Sequence, residues 1–280
     1  MYARNVSWVD PSQPLVVSSY TLGTHVSFAD RVRVAAEAGY AGIGLRAENY
    51  WAAREAGLDD ATMQSLLDRH GVAVMEVEYL TDWATPEHRD EAQRHKERTV
   101  VHLARTFGVS HVNAGLLEHL PTDVIADGFA GLCRRAEELT VALEFMPYSG
   151  VPHLRTAWDV LQRAGMPNGA LIVDAWHWSR AHVTPADLAA VPPERVVAIQ
   201  LSDVLGSPMQ PLRRESLGHR LPPGRGYGDV LAMVRALIDT GVDPAVVAVE
   251  VISDDLVGRG PGVAAATTYA AARELLAKVG

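Results

Sequence analysis

The sequence predicts an α/β fold closed into a single (β/α)8 TIM barrel, and three observations carry the prediction. Eight short apolar runs alternate with eight amphipathic stretches along the 280 residues, and a β/α barrel takes about 250. Four of the later runs end in an oxygen-bearing side chain. Val141-Ala142-Leu143 reaches Glu144, Leu171-Ile172-Val173 reaches Asp174, Val196-Val197-Ala198-Ile199 reaches Gln200, and Val246-Val247-Ala248-Val249 reaches Glu250. A buried strand reads as an apolar run of about 4–8 residues, and a carboxylate is rare inside one unless paired or metal-bound. No Gly-x-Gly-x-x-Gly follows the first run and no Gly-x-x-x-x-Gly-Lys-Ser/Thr occurs, which disfavours an open nucleotide-binding sheet.

The elements follow in order. Strand one covers residues 15–19. Ser27 can cap the next helix, Val32, Val34, Ala35 and Ala36 give it an apolar face, and Gly39 stops it. Strand two is 41–46. A helix over 59–70 carries Met63, Leu66 and Leu67 on one side, and strand three is 72–77. The helix over 86–107 has a charged first half and an apolar end at Val100, Val101, Leu103 and Ala104. Strand four (110–114), a helix (122–138), strand five (141–145), a helix (156–164) and strand six (171–174) come next. Thr184-Pro185-Ala186-Asp187 reads as a helix cap with proline at the first helical position. Strand seven (196–201), a helix (229–239), strand eight (246–251) and an Ala-rich helix (267–278) complete the pattern. No shift of composition marks a second domain, so 1–280 reads as one. The longest irregular stretch, 206–228, is rich in Pro, Gly and Arg and follows strand seven. Loops on that side of a barrel line the active site, so it reads as a binding loop.

Composition excludes several classes. With 48% hydrophobic and 21% charged residues the chain is an ordinary globular one. Its net charge is −9 at pH 7, and the nearest thing to a basic cluster is Arg213-Arg214 with Arg220 and Arg225. Nucleic acid is therefore not expected as a partner. The single cysteine, Cys133, rules out an intramolecular disulfide and reads as a small residue on a helix. The start Met1-Tyr2-Ala3-Arg4-Asn5 has no apolar signal core behind it, and no apolar run of about 18 residues could span a bilayer. The expectation is a cytoplasmic protein with a small-molecule substrate and no membrane partner, compatible with a homo-oligomer.

In a barrel, polar residues at the C-terminal ends of strands converge over its mouth. Glu144, Asp174, Gln200 and Glu250 come from strands five to eight and are neighbours around half the ring. Three carboxylates gathered in a low-dielectric pocket repel one another, and a divalent cation between them removes the conflict. Carboxylate and amide oxygens suit Mg²⁺ or Mn²⁺. The competing reading is four separate polar residues that cap strand ends or pair with arginine.

On these residues the chain resembles the xylose isomerase-like TIM barrels of the sugar phosphate isomerase/epimerase superfamily. That group also includes inositol-catabolism enzymes, tagatose-type 3-epimerases and 3-dehydroshikimate dehydratases. The pieces that carry the resemblance are Ala142-Leu143-Glu144, Val173-Asp174-Ala175-Trp176-His177, Ile199-Gln200-Leu201-Ser202-Asp203, Arg220 with Pro223-Gly224-Arg225-Gly226 and Gly228-Asp229, and Val249-Glu250. The resemblance implies that Glu144, Asp174, Gln200 and Glu250 hold one metal ion. It also implies that His177 approaches the substrate, that Arg220 binds a substrate oxygen, and that Asp203 supports neighbouring loops. Two departures stand out. Many relatives carry His where this chain has Gln200, a change to a harder, less zinc-like donor. Tagatose-type epimerases place a second sugar-contacting Glu where this chain has Gly150.

The implied activity is that of a metal-dependent isomerase, epimerase or lyase acting next to the carbonyl of a small sugar, polyol-derived ketone or cyclic hydroxy-ketone. A metal chelated by carbonyl and hydroxyl oxygens acidifies the adjacent C–H through an enediolate. Glu144 or Glu250 can take the proton. Its return gives isomerisation or epimerisation, and loss of a β-hydroxyl with His177 as acid gives dehydration, as in a 3-dehydroshikimate dehydratase-like lyase. Arg46, Glu78 and Asn113, near the ends of strands two to four, are substrate-binding candidates or strand-end salt bridges and caps. His25 and His153 lie on loops, while His111 begins strand four and reads as structural. Tyr79, Trp83 and Tyr148 either stack on a ring or simply pack. Two other classes compete. A DNA-repair endonuclease on this barrel needs a His-rich zinc cluster that strands two and three do not offer. A catalytically inactive binding subunit would have no need of the intact Glu/Asp/Gln/Glu set.

Overall fold

The fold is seen in a computed structural model that describes residues 7–10 and 12–279. The stretch Met1–Asn5, relevant to targeting, lies outside the described residues. Eight parallel strands form one sheet: β1 (Val16–Val17), β2 (Gly42–Arg46), β3 (Ala73–Glu78), β4 (His111–Ala114), β5 (Thr140–Glu144), β6 (Gly169–Asp174), β7 (Val196–Leu201) and β8 (Val246–Val249). Their order is β3-β2-β1-β8-β7-β6-β5-β4. The ring closes between its two ends, just past β3 and β4, where Leu80 bridges to Ala114. There Leu80 N–H donates to Asn113 O and Gly115 N–H to Leu80 O, both at 2.9 Å. The chain is a nearly closed parallel barrel wrapped by helices, as the alternation predicts.

Local chemistry sets the helix ends. Ser27 Oγ accepts from Asp30 N–H at the start of the Phe28–Ala38 helix, and Gly39 ends it at φ 97°. That left-handed conformation costs glycine nothing. Thr184 and Asp187 form a reciprocal capping box. Four helices depart from the sequence pattern: Ala47–Glu55, Ala175–Arg180, Leu212–Ser216 and Asp254–Gly258. Three of them are too short to show a periodic apolar face, and Ala47–Glu55 starts directly at the end of β2. Among the described residues, no helix is long and apolar enough to cross a membrane.

The core has two parts. The larger lies between strands and helices and includes Cys133, 1% exposed, whose thiol pKa burial pushes up to about 12. The smaller fills the barrel interior with Val16, Ala142, Ile172, Ala198, Val246 and Ala248. Side chains two residues apart on a strand share a face. The residues that follow these on the inner face are therefore Glu144, Asp174, Gln200 and Glu250. Two irregularities tune the interior. Between β2 and β3 the pairing skips Met75, and between β6 and β7 it skips Val197. Opposite the first, a Cβ on Gly42 would fall 2.5 Å from Met75 Sδ, and one on Gly44 2.4 Å from Glu78 Oε1. These glycines leave the space that the β3 side chains fill.

Candidate active site

At the C-terminal mouth, Glu144, Asp174 and His177 each present a ligand atom within 4.8 Å of the others, all three residues buried. The chain builds this cluster locally. Asp174 ends β6, and its Oδ1 accepts from His177 N–H at 2.8 Å, capping the helix that carries His177. His177 Nε2 thereby lies 3.2 Å from Glu144 Oε1 and 4.0 Å from Asp174 Oδ1. Arg220 closes the other side. Its Nη1 donates to Asp174 Oδ2 at 2.8 Å and to Glu250 Oε2 at 3.0 Å, while its Nε is held by Ser216 O at 2.9 Å. Arg220 is 2% exposed, so this guanidinium is the resident counter-ion of two buried carboxylates.

The electrostatics separate the carboxylates. Burial pushes the Glu250 carboxyl well above its usual range, and the nearby Glu144, Glu78 and Asp174 add to this against Arg220. Burial also acts on Glu144, but attraction from His177, the Tyr79 hydroxyl and Arg220 outweighs it and holds that pKa below the usual value. Burial raises the Tyr148 hydroxyl to about 12. Asp174 and Glu250 thus share the Arg220 guanidinium directly, while Arg46, paired with Glu78, lines the same cleft. His177 Nδ1 is buried with no hydrogen-bond partner, and Glu144 Oε1 meets His177 Nε2 at 3.2 Å. A buried carboxylate-carboxylate-imidazole set whose ligand atoms lie within 4.8 Å of one another is a donor set that a divalent cation fits.

The four residues proposed as ligands from the resemblance take different places. Glu144 and Asp174 join His177 in the cluster. Glu250 lines the same cleft and reaches Arg220. Gln200 is the register partner of Asp174, yet its Nε2 donates across the barrel to Glu76 Oε1 at 3.0 Å, and its Oε1 has no partner. Arg46 pairs with Glu78 at 3.2 Å and stacks on Tyr20, its guanidinium carbon 4.2 Å from the ring centroid. Glu78 also accepts from Ser19 N–H at 3.3 Å. Asn113 donates its amide to Glu76 Oε1 at 2.8 Å.

The remaining candidates divide between rim and scaffold. Tyr79 and Tyr148 line the cleft, whereas Trp83 is core, its Nε1 donating to Gly115 O. His153 caps a helix, accepting from Arg155 N–H, and His25 is exposed. His111 is 2% exposed, and burial lowers its pKa to about 4. Asp203 accepts from the N–H groups of Gly226 and Gly228, tying down the 206–228 segment. The residue overlooked in the sequence is Glu76, which is 0% exposed. Its signal was present: a carboxyl inside the apolar run Val72–Val77.

The cleft above the cluster has a volume of about 180 Å³. Tyr20, Tyr79 and Tyr148 supply aromatic walls, and Leu117, Met146 and Ile252 aliphatic ones. Arg213 and Leu217 reach it from the 206–228 segment. This is room for one small, partly apolar molecule over an acidic floor.

With barrel and site described, comparison with known proteins identifies the chain. The family model for the xylose isomerase-like TIM barrel matches residues 32–279. The chain belongs to that family. Among solved structures, the IOLI protein with a bound zinc atom superposes with TM-score 0.84 at 19% identity, covering 96% of this chain and 99% of that one. The probable 3-DHS dehydratase AsbF of Bacillus anthracis gives 0.71 at 14%, covering 92% and 98%. The D-allulose 3-epimerase of Methylomonas sp. gives 0.68 at 15%, covering 95% and 97%. A comparison with curated protein sequences finds no match. Within this xylose isomerase-like barrel the departure at Gly150 has a steric reason. A Cβ there would lie 1.8 Å from the backbone oxygen of Glu118, so no larger residue fits without moving that loop.

Proposed function

We propose that this protein is a divalent-metal-dependent isomerase, epimerase or lyase that removes a proton beside the carbonyl of a small cyclic hydroxy-ketone or keto-sugar. The observation that carries the reading is the buried Glu144–Asp174–His177 cluster with Glu250 beside it, three carboxylates of which Asp174 and Glu250 share the guanidinium of Arg220. Glu144, Asp174 and His177 would hold the ion, with Glu250 and Gln200 as the further ligands that the family resemblance adds. When bound, such an ion polarises a substrate oxygen and makes the neighbouring C–H more acidic.

The chain supplies the rest. Glu250 faces the cleft with a carboxyl whose proton affinity burial has raised, the property a general base needs. Glu144, held ionised by its neighbours, serves better as a fixed negative ligand. Arg220 keeps Asp174 and Glu250 in place. The three tyrosines that line the cleft, Tyr20, Tyr79 and Tyr148, favour a ring over an extended chain. The steric closure at Gly150 argues against a tagatose-type sugar contact and supports a cyclic ketone. The net charge of −9 and the acidic floor support a small-molecule substrate over nucleic acid.

The test is hydrogen exchange in D₂O with Mn²⁺ and a panel of 3-dehydroshikimate, inosose-like ketones and keto-sugars. Deuterium should enter next to a carbonyl with one of them, and Glu250→Gln should abolish this by at least the factor of about 10² typical of losing a general base. Exchange that persists in Glu250→Gln would remove the assigned base.

A further inference from the structure

Beside the ligand cluster the barrel interior holds a polar network centred on Glu76, a residue to which the proposed chemistry gives no part. Ser18, Glu76, Asn113 and Gln200 come from four separate strands or strand ends, and all are 2% exposed or less. Glu76 is their centre. Its Oε2 accepts from Ser18 Oγ at 2.8 Å, and its Oε1 accepts from both Asn113 Nδ2 at 2.8 Å and Gln200 Nε2 at 3.0 Å. β3 and β7 lie four strands apart in an eight-stranded ring, so the Gln200 bond spans the interior.

The geometry fixes which way the two amides point. A carboxyl oxygen that already accepts two hydrogen bonds selects the NH₂ end of each amide. Protonation of Glu76 leaves this unchanged, because the proton can sit on Oε2, where the Ser18 hydroxyl accepts it. The opposite ends, Gln200 Oε1 and Asn113 Oδ1, are buried and have no partner. A buried acceptor without a donor costs about 1–3 kcal/mol, so each of these oxygens is set to accept a cation or a further donor. Asp174, register neighbour of Gln200, belongs to the metal-ligand cluster.

We propose that Glu76 is a positioning residue: by taking both amide NH₂ groups on one oxygen it commits the Gln200 carbonyl oxygen to a cation at the Glu144–Asp174–His177 cluster. The inference rests on the metal reading above and adds to it how a Gln can stand where many relatives have His. An unanchored Gln rotates freely and offers NH₂ or oxygen indifferently, whereas an anchored one is a fixed oxygen donor.

The experiment is Mn²⁺ binding to metal-free protein, read from the electron paramagnetic resonance signal of free Mn²⁺, with circular dichroism as the check of folding. Glu76→Asp withdraws the acceptor by one methylene and Glu76→Met removes it. Each should weaken binding by about 10–100-fold, the usual effect of losing a group that orients a metal ligand. Glu76→Gln keeps a carbonyl that can accept from both amides and should match wild type. In a Gln200→Met background, itself weakened to a similar degree, Glu76→Asp should cost nothing further. If Glu76→Met does not fold, the Asp and Gln variants decide. Unchanged binding in Glu76→Asp, or equal losses in Glu76→Asp and Glu76→Gln, overturns the inference. Wild type that binds Mn²⁺ and a Gln200→Met variant that binds it equally well overturn this inference alone. Wild type that binds no Mn²⁺ overturns the metal reading and this with it.

Discussion

Replacing Arg220 by methionine tests whether the site is held together by charge. The side chain is 2% exposed and its Nη1 contacts both Asp174 and Glu250, at 2.8 and 3.0 Å. Methionine fills much of the same space but leaves two buried carboxylates without their cation. Removing one partner of a buried ion pair costs about 3–5 kcal/mol. At about 2 °C per kcal/mol for a chain of this length, the melting temperature should fall by roughly 6–10 °C at pH 8. The sign of the pH dependence follows from linkage. Burial already lifts the folded-state Glu250 carboxyl above its unfolded value of about 4.3, and losing Arg220 lifts it further, so the folded variant binds a proton more tightly than the unfolded chain. The deficit is therefore largest at alkaline pH and shrinks as the pH falls towards that unfolded value. Added Mn²⁺ should also narrow it, because the ion replaces the lost charge. Thermal unfolding at pH 8 and pH 4.5, with and without Mn²⁺, reads all three effects. A variant as stable as wild type at pH 8 would refute the view of Arg220 as counter-ion.

Two further outcomes follow from particular residues. His111 is buried neutral, and burial pushes its pKa down to about 4 from the ordinary imidazole value of about 6.5. Unfolding lets it take up a proton, so stability is constant above about pH 6.5 and lost as the pH falls to about 4, by roughly 3 kcal/mol. His111→Gln should flatten that part of the profile, and a urea midpoint difference between pH 7 and pH 4 that matches wild type would count against it. At Gly150 even alanine meets the Glu118 backbone oxygen, so Gly150→Ala should lower stability by about 1–3 kcal/mol, the usual cost of overpacking. Gly150→Glu should cost at least as much and bring no ketose 3-epimerase activity, which a coupled assay on a keto-sugar checks.

The sequence by itself determined the barrel and the depth of its polar residues. Side chains alternate along a strand with a period of two, so a carboxylate that follows an apolar run on the inner face can be read from one dimension. Glu144, Asp174, Gln200 and Glu250 were legible in that way, and so were the caps at Ser27 and Thr184. Only the tertiary structure decided which of them meet. Arg220 lies 46 residues after Asp174 in the chain, yet its guanidinium stands between Asp174 and Glu250. Gln200 turns to Glu76 on the far side of the ring, a contact between strands that no local pattern contains. The pairing that skips Met75 and Val197 is a property of two strands together, and it sets which residues of β3 and β7 reach the interior. A strand specifies which face a side chain occupies. The closure and register of eight strands specify its neighbours.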